Sequence, residues 1–277
     1  MEKIKFYYNY PINMDINCMK PVEVYIDQIN LLPVPKDSLR IVVLQEPWRE
    51  PLVPAVQNNI HAYTHLLTYQ KELLENNPKA RLFHFPNTWI KDYSFPKKEF
   101  SISTVVGGKN FAQLEGHALR HELWKKREQI ETPRKFYLSG NAKHAHSFVH
   151  YSDASYDGEL VLGANKDPLF DSMFHIAIEN TSIDNFFTEK LIDCFQTKTV
   201  PIYYGCPNIA EYFNTMGIIH VSSVDEIIRI CEGLTPKTYI GMTEAIEYNY
   251  RMSMKWTNQM EQLKNGIIKI LKEEDYI

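Results

Sequence analysis

Glu179 and Asn180 close an apolar run that begins at Phe174, and Thr188, Glu189 and Lys190 open an amphipathic stretch after a short polar loop. The first run reads as a buried strand and the second as a helix. A carboxylate and an ammonium in a helix's first turn, beside the loop at a strand's carboxyl end, suit a nucleotide. The Lys190 ammonium and the helix N–H groups that lack intrahelical partners can hold a diphosphate. Glu189 can accept from a ribose hydroxyl. An ammonium at that end of a helix opposes the macrodipole unless an anion sits there. Val200-Pro201-Ile202-Tyr203-Tyr204-Gly205 follows as a second buried strand ending in a turn. The chemistry implied is that of a nucleotide-sugar site.

Glu46 is the second candidate. It stands past the carboxyl end of the apolar run Arg40–Leu44, where an open α/β sheet carries ligand-binding groups. A carboxylate there can take a proton from an attacking hydroxyl. Glu50, four residues on, competes for the same role. His144 and His146 form a His-x-His, with Asp153 and Asp157 in the same polar stretch. The chain has no Asp-x-Asp after a buried strand, so no metal is assigned. Cys18, Cys194, Cys206 and Cys231 show neither a Cys-x-x-Cys pair nor zinc spacing. Cys194 and Cys231 sit in apolar helical patterns and read as plain buried thiols.

These groups need a scaffold. At 277 residues, 44% hydrophobic and 23% charged, the chain has the composition of a soluble globular protein of one large or two modest domains. A net charge of −4 speaks against general nucleic-acid binding. No apolar run approaches the ~20 residues of a membrane span, and the first residues lack the pattern of a signal peptide. Short apolar runs alternating with amphipathic ones predict an α/β architecture. Strands are expected at Ile4–Tyr10, Val22–Asp27, Arg40–Leu44, Ala80–Phe85, Phe100–Val106, Lys135–Ser139, 174–179, 200–204 and Gly217–Val221. Helices are expected at Tyr69–Asn76, His117–Ile130, Pro168–Met173, 188–197, Asn208–Phe213 and Val224–Cys231, with one or two long ones from 236 to 270. Pro47, Pro51 and Pro54 predict a loop around Trp48. Glu131-Thr132-Pro133 breaks a helix and marks the expected boundary, giving domains 1–132 and 133–277.

Ile178-Glu179-Asn180-Thr181, Thr188-Glu189-Lys190 and Val200-Pro201-Ile202-Tyr203-Tyr204-Gly205 stand in the order and at the distances of a known signature. In these pieces the chain resembles the α1,3/α1,4-fucosyltransferases of glycosyltransferase family 10, in its soluble viral and bacterial form. The resemblance implies a GT-B fold, two Rossmann-like domains facing a central cleft, the first on the acceptor side and the second binding the donor. It implies an inverting, metal-independent transfer of fucose from GDP-fucose to a glycan hydroxyl in an α1,3-type linkage, with no cofactor. By the same resemblance Lys190 binds phosphate, Glu189 the ribose, and Asn180 the donor sugar or its loop. Arg120, in Gly116-His117-Ala118-Leu119-Arg120, faces the diphosphate, so that Arg120 and Lys190 supply charge from opposite sides of the cleft. Glu46 corresponds to the family's base. Phe186 stands where the family often has a tyrosine, keeping the stacking and losing a hydroxyl. Trp48 and Tyr63 are candidates for a wall against the acceptor sugar. Animal members carry an N-terminal anchor that this sequence lacks, so a cytoplasmic enzyme is expected. Two other readings stand beside this one: another GDP- or UDP-sugar donor on the same fold, or a non-catalytic binder of nucleotide sugar or glycan.

Overall fold

A computed structural model describes residues 2–47, 52–109, 111–139 and 166–277, and the backbone of 158–160. Trp48, Glu50, His144, His146, Asp153 and Asp157 lie outside the described residues. The chain forms two compact units, residues 1–85 with 184–186 and 258–277, and residues 86–183 with 187–257.

In the first unit, β1 (Glu2–Lys3) pairs antiparallel with β3 (Asn17–Cys18). Five strands make a parallel sheet in chain order: β2 (Lys5–Tyr7), β4 (Val22–Ile26), β5 (Leu39–Val43), β6 (His65–Thr68) and β7 (Ala80–Leu82). Side chains alternate across a strand, and both faces of this sheet are covered. Val24, Ile41 and Val43 join the core of the C-terminal helix Gln259–Glu273 through Leu263, Ile267, Ile270 and Leu271, a helical stripe. Tyr25, Val42 and Leu44 face the other way, toward α1 (Leu52–Asn58) and α2 (Lys71–Asn76) through Val56 and Leu73. α1 includes Pro54, against the expected loop. Proline is tolerated in a first turn, where its missing N–H has no intrahelical partner to lose. β6 was not expected at all: His-Leu-Leu-Thr is buried at every position and shows no alternation.

The second unit has a six-stranded parallel sheet. Its strands are β8 (Glu99–Val106), β9 (Arg134–Ser139), β10 (Gly158–Leu160), β11 (Ser172–Ile178), β12 (Val200–Tyr204) and β13 (Ile219–His220), in the order β10-β9-β8-β11-β12-β13. The chain builds outward from β8 to β10, returns to lay β11 beside β8, then builds the other way. That is the strand order of dinucleotide-binding sheets, with its switch point between β8 and β11. α3 (Glu115–Lys126) and α5 (Val224–Gly233) cover one face through Leu123, Trp124, Ile227 and Cys231, and α4 (Glu189–Gln196) covers the other through Leu191, Ile192 and Phe195. Ser223 caps α5, accepting from Glu226 N at 3.2 Å. α6 (Pro236–Gly241) and α7 (Thr243–Ser253) precede the C-terminal helix, so residues 236–270 form three helices rather than one or two.

The units divide at Phe85/Pro86, not at Thr132/Pro133. β8 hydrogen-bonds to both β9 and β11, which ties it and α3 into the second sheet. The C-terminal helix returns to the first unit. All four cysteines are free and buried. Among the described residues no helix is long and apolar enough to cross a membrane.

Ile267, fully buried against the first sheet, is the probe of that return. Ile267→Ala is expected to cost about 2–5 kcal/mol in denaturant-induced unfolding. A loss below about 0.5 kcal/mol would mean that the helix does not pack there.

Candidate functional site

The switch point puts two segments side by side at the strand carboxyl ends, the start of α3 after β8 and residues 179–182 after β11. Gly116 N donates to Asn180 O at 3.1 Å. A Cβ at position 116 would stand 1.8 Å from Glu179 O, so only glycine permits this approach. One turn on, Arg120 donates through Nε to Gly116 O at 3.0 Å and through Nη2 to Asn180 Oδ1 at 2.6 Å. His117 accepts from Phe111 N at 3.0 Å and bonds the Asn180 side chain. Burial, and then the Arg120 charge, lower its imidazole to about 4, so it is neutral near pH 7. Glu115 accepts from the Thr181 hydroxyl at 3.0 Å, Ser182 N at 2.7 Å and the Tyr204 hydroxyl at 3.2 Å, fixing the loop after β11. Sequence reasoning did not single out Glu115 or His117. The signal was the pair of polar residues flanking Gly116 at a helix start.

Across the switch point, Thr188 caps α4, accepting from Lys190 N at 3.3 Å. Glu179 is fully buried and accepts from Thr188 N at 2.8 Å and the Thr188 hydroxyl at 2.7 Å. Lys190 Nζ lies 3.0 Å from Glu189 Oε1 and 3.6 Å from Glu179 Oε2. Burial works against the Lys190 ammonium, but these two carboxylates outweigh it and raise its pKa. Burial also disfavours the Glu189 carboxylate. The nearby Lys190 and Lys166 ammoniums reverse that and bring Glu189 to about 2. Glu179 is shifted upward, burial exceeding the pull of Lys190. Arg120 and Lys190 are close enough for the guanidinium to depress the ammonium's pKa.

The structure brings together Arg120, Asn180, Glu189 and Lys190 in the second unit. Arg120 and Lys190 therefore do not come from opposite domains as expected. They flank the switch point of one sheet, because α3 follows β8. The Thr188 N–H donates to Glu179 and the Lys190 N–H to the Thr188 hydroxyl.

Glu46 and Phe186 belong to the first unit. Asp27, just past β4, is buried in the left-handed region at φ 51° and donates its N–H to Val43 O at 2.9 Å. Its Oδ1 accepts from Gln45 N at 2.8 Å and Glu46 N at 3.1 Å, so this carboxylate sets the backbone of the Glu46 loop. Phe186 is 7% exposed, with its ring centroid 5.1 Å from that of Tyr69, and offers little free face. Asn185 donates to Tyr69 O at 3.1 Å. Burial, with smaller contributions from the Asp27 and Glu46 carboxylates, pushes the Tyr69 phenol far up. Tyr63 cannot form a sugar wall: it is fully buried, its hydroxyl donating to Val56 O at 2.9 Å. Its ring fills the core between β6 and α1, as an aromatic beside a parallel sheet commonly does.

Residues 164–266 match the family model described as glycosyltransferase family 10 (fucosyltransferase) C-term. The chain is 40% identical over 48 residues to the α-(1,3)-fucosyltransferase FucT of Helicobacter pylori, covering 17% of this chain and 10% of that one. It is 26% identical over 104 residues to GDP-fucose protein O-fucosyltransferase 3 of Danio rerio, covering 37% and 21%. The matches thus span a small part of these relatives' length. A solved α1,3-fucosyltransferase with GDP-fucose superposes with a TM-score of 0.50 at 16% identity, over 82% of this chain and 69% of that one. The GtfA/B complex gives 0.52 at 10% identity, over 91% and 57%. These likenesses identify the fold as GT-B.

Gly116→Ala separates helix propensity from close packing. Propensity alone favours alanine in a helix by about 1 kcal/mol. The contact with Glu179 O predicts the opposite sign, a loss of roughly 1–3 kcal/mol or more in equilibrium unfolding. A stabilised variant would contradict the apposition of α3 and β11.

Proposed function

We propose that this chain, whose residues 164–266 match the C-terminal model of glycosyltransferase family 10, is a member of that family and transfers fucose from GDP-fucose to a glycan hydroxyl with inversion. The single observation that carries this reading is that Arg120, held by Asn180, and Lys190, held by Glu179 and Glu189, lie within each other's field at the switch point. A departing diphosphate gathers negative charge in the transition state, and fixed cations stabilise it without having to reorganise. With both in place, charge neutralisation does not call for a metal.

In this reading GDP lies across the carboxyl ends of β8 and β11. Arg120 and Lys190 contact the diphosphate, Glu189 accepts from the ribose, and Asn180, oriented by Arg120, meets the donor sugar. Glu46 takes the proton of the acceptor hydroxyl. The acceptor oxygen then bonds the anomeric carbon as the bond to the diphosphate breaks, and GDP leaves with the electron pair. Glu189, at about 2, stays ionised across the physiological range and remains an acceptor there. The neutral His117 adds no charge of its own and serves to orient Asn180.

Two substitutions divide the roles. Glu46→Gln is expected to lower kcat by about 10²–10⁴-fold while GDP affinity stays within about threefold. Lys190→Ala is expected to weaken GDP binding by ~1.5–3 kcal/mol, the value of a charge-assisted contact. Turnover assays with calorimetric titration of GDP check both. Near-normal turnover in the first removes Glu46 as base, and unchanged GDP affinity in the second removes Lys190 from the site.

A further inference from the structure

Lys166 has no role in the chemistry above, yet it packs against the helix that carries Glu189 and Lys190. Leu169 N donates to Lys166 O at 3.0 Å, and Leu169 is fully buried, so the backbone at 166 is fixed. The side chain is largely buried, with Nζ 3.5 Å from Asp193 Oδ2. The same Nζ stands 4.4 Å from the centre of the Trp89 ring, whose face attracts a cation. Asp193 is fully buried and anchored in turn. Its Oδ1 accepts from the Thr88 hydroxyl and from Trp89 N, each at 2.8 Å. All these residues belong to the second unit.

Helix geometry connects this ammonium to the donor side. Asp193 follows Glu189 by one turn of α4, and side chains at that spacing are neighbours on one helix face. An ammonium paired with Asp193 therefore also faces Glu189. Glu189 lies in the field of both Lys190 and Lys166, and each favours its carboxylate.

The two cations are not equivalent. Lys190 is shared between Glu189 at 3.0 Å and Glu179 at 3.6 Å, and a diphosphate would compete with both for it. If Lys190 alone held Glu189, that carboxylate would lose its counter-charge as the diphosphate arrived. The two anions would then repel each other across the first turn of the helix. Lys166 is tied to Asp193 and Trp89 instead, so its charge stays beside Glu189 when Lys190 turns away.

We propose that Lys166 is a positioning residue of the donor site, the standing counter-ion that holds the Glu189 carboxylate in place for a ribose hydroxyl while Lys190 serves the diphosphate. The ribose role of Glu189 rests on the transferase reading; the pairing of Lys166 with the Asp193 and Glu189 face of α4 does not.

Two readouts on the full chain test this. The first is calorimetric affinity for GDP against 2′,3′-dideoxy-GDP, which lacks both ribose hydroxyls. The wild type is expected to favour GDP by about tenfold or more, the scale of one charge-assisted hydrogen bond. Lys166→Met should cut that preference to about threefold or less, and Lys166→Arg, which keeps the charge, should restore it. Lys166→Met combined with Asp193→Asn leaves no unpaired buried carboxylate and should lose the preference likewise. The second readout needs no nucleotide: a double-mutant cycle of Lys166→Met and Glu189→Gln in denaturant-induced unfolding. The combined loss should be smaller than the sum of the single losses, because either change already breaks the pairing. Strictly additive losses overturn the proposal, and so does a preference for GDP that Lys166→Met leaves intact. Non-additive losses in a wild type that binds the two nucleotides alike keep the pairing and remove the ribose reading of Glu189 instead.

Discussion

The Glu179 carboxylate is wholly buried at the end of a central strand, and its environment is arranged around the need to partner it. An uncompensated charge in that position costs about 3–5 kcal/mol. Thr188 meets it with both its N–H and its hydroxyl, and the Lys190 ammonium lies 3.6 Å away. That one requirement fixes where α4 begins, because Thr188 is the helix cap. It also keeps Lys190 in reach of Glu189 and within the field of Arg120. The neighbouring Glu179 carbonyl excludes any side chain at position 116, and so decides how closely α3 can approach.

Sheet order and local chemistry reinforce each other here. Reversal of the winding between β8 and β11 leaves the carboxyl ends of two neighbouring strands open, with a helix N-terminus on each side. Each helix brings one cation, and each cation is anchored by the segment across the switch point or by its own first turn. In the proposed function these side chains are set by hydrogen bonds and ion pairs before a ligand arrives, which is what transition-state charge stabilisation requires. The first unit repeats the device in a simpler form. There Asp27, strained at φ 51°, spends its carboxylate on two backbone N–H groups and so holds Glu46 past the end of β5.

Much of the local arrangement around Glu179 was legible in the sequence, for physical reasons. Glu179, Thr188 and Lys190 interact over a span of twelve residues, and local patterns record local interactions. The caps of α4 and α5 and the strands β11 and β12 carry strong signals because apolar periodicity and cap chemistry agree. The domain boundary was not legible at Pro133. A helix breaker marks the end of a helix, whereas which sheet a strand joins depends on pairing between residues about seventy positions apart, such as Ser103 and His175. β6 escaped because a strand buried on both faces loses its alternation. Tyr63 misled because an aromatic near a polar loop has the same letter whether it faces a ligand or the core. Asp27 gave no sign, since its partners are backbone N–H groups brought in from a distant segment.

In the proposed function the switch point of the second sheet is a guanosine-diphosphate site whose cations are supplied by the protein. Calorimetric titration of GDP and of UDP into the full chain, each with and without EDTA, tests it most directly. GDP bound in preference to UDP, with an affinity that EDTA leaves unchanged, is the predicted result. Preference for UDP, or binding that disappears with EDTA, would contradict it.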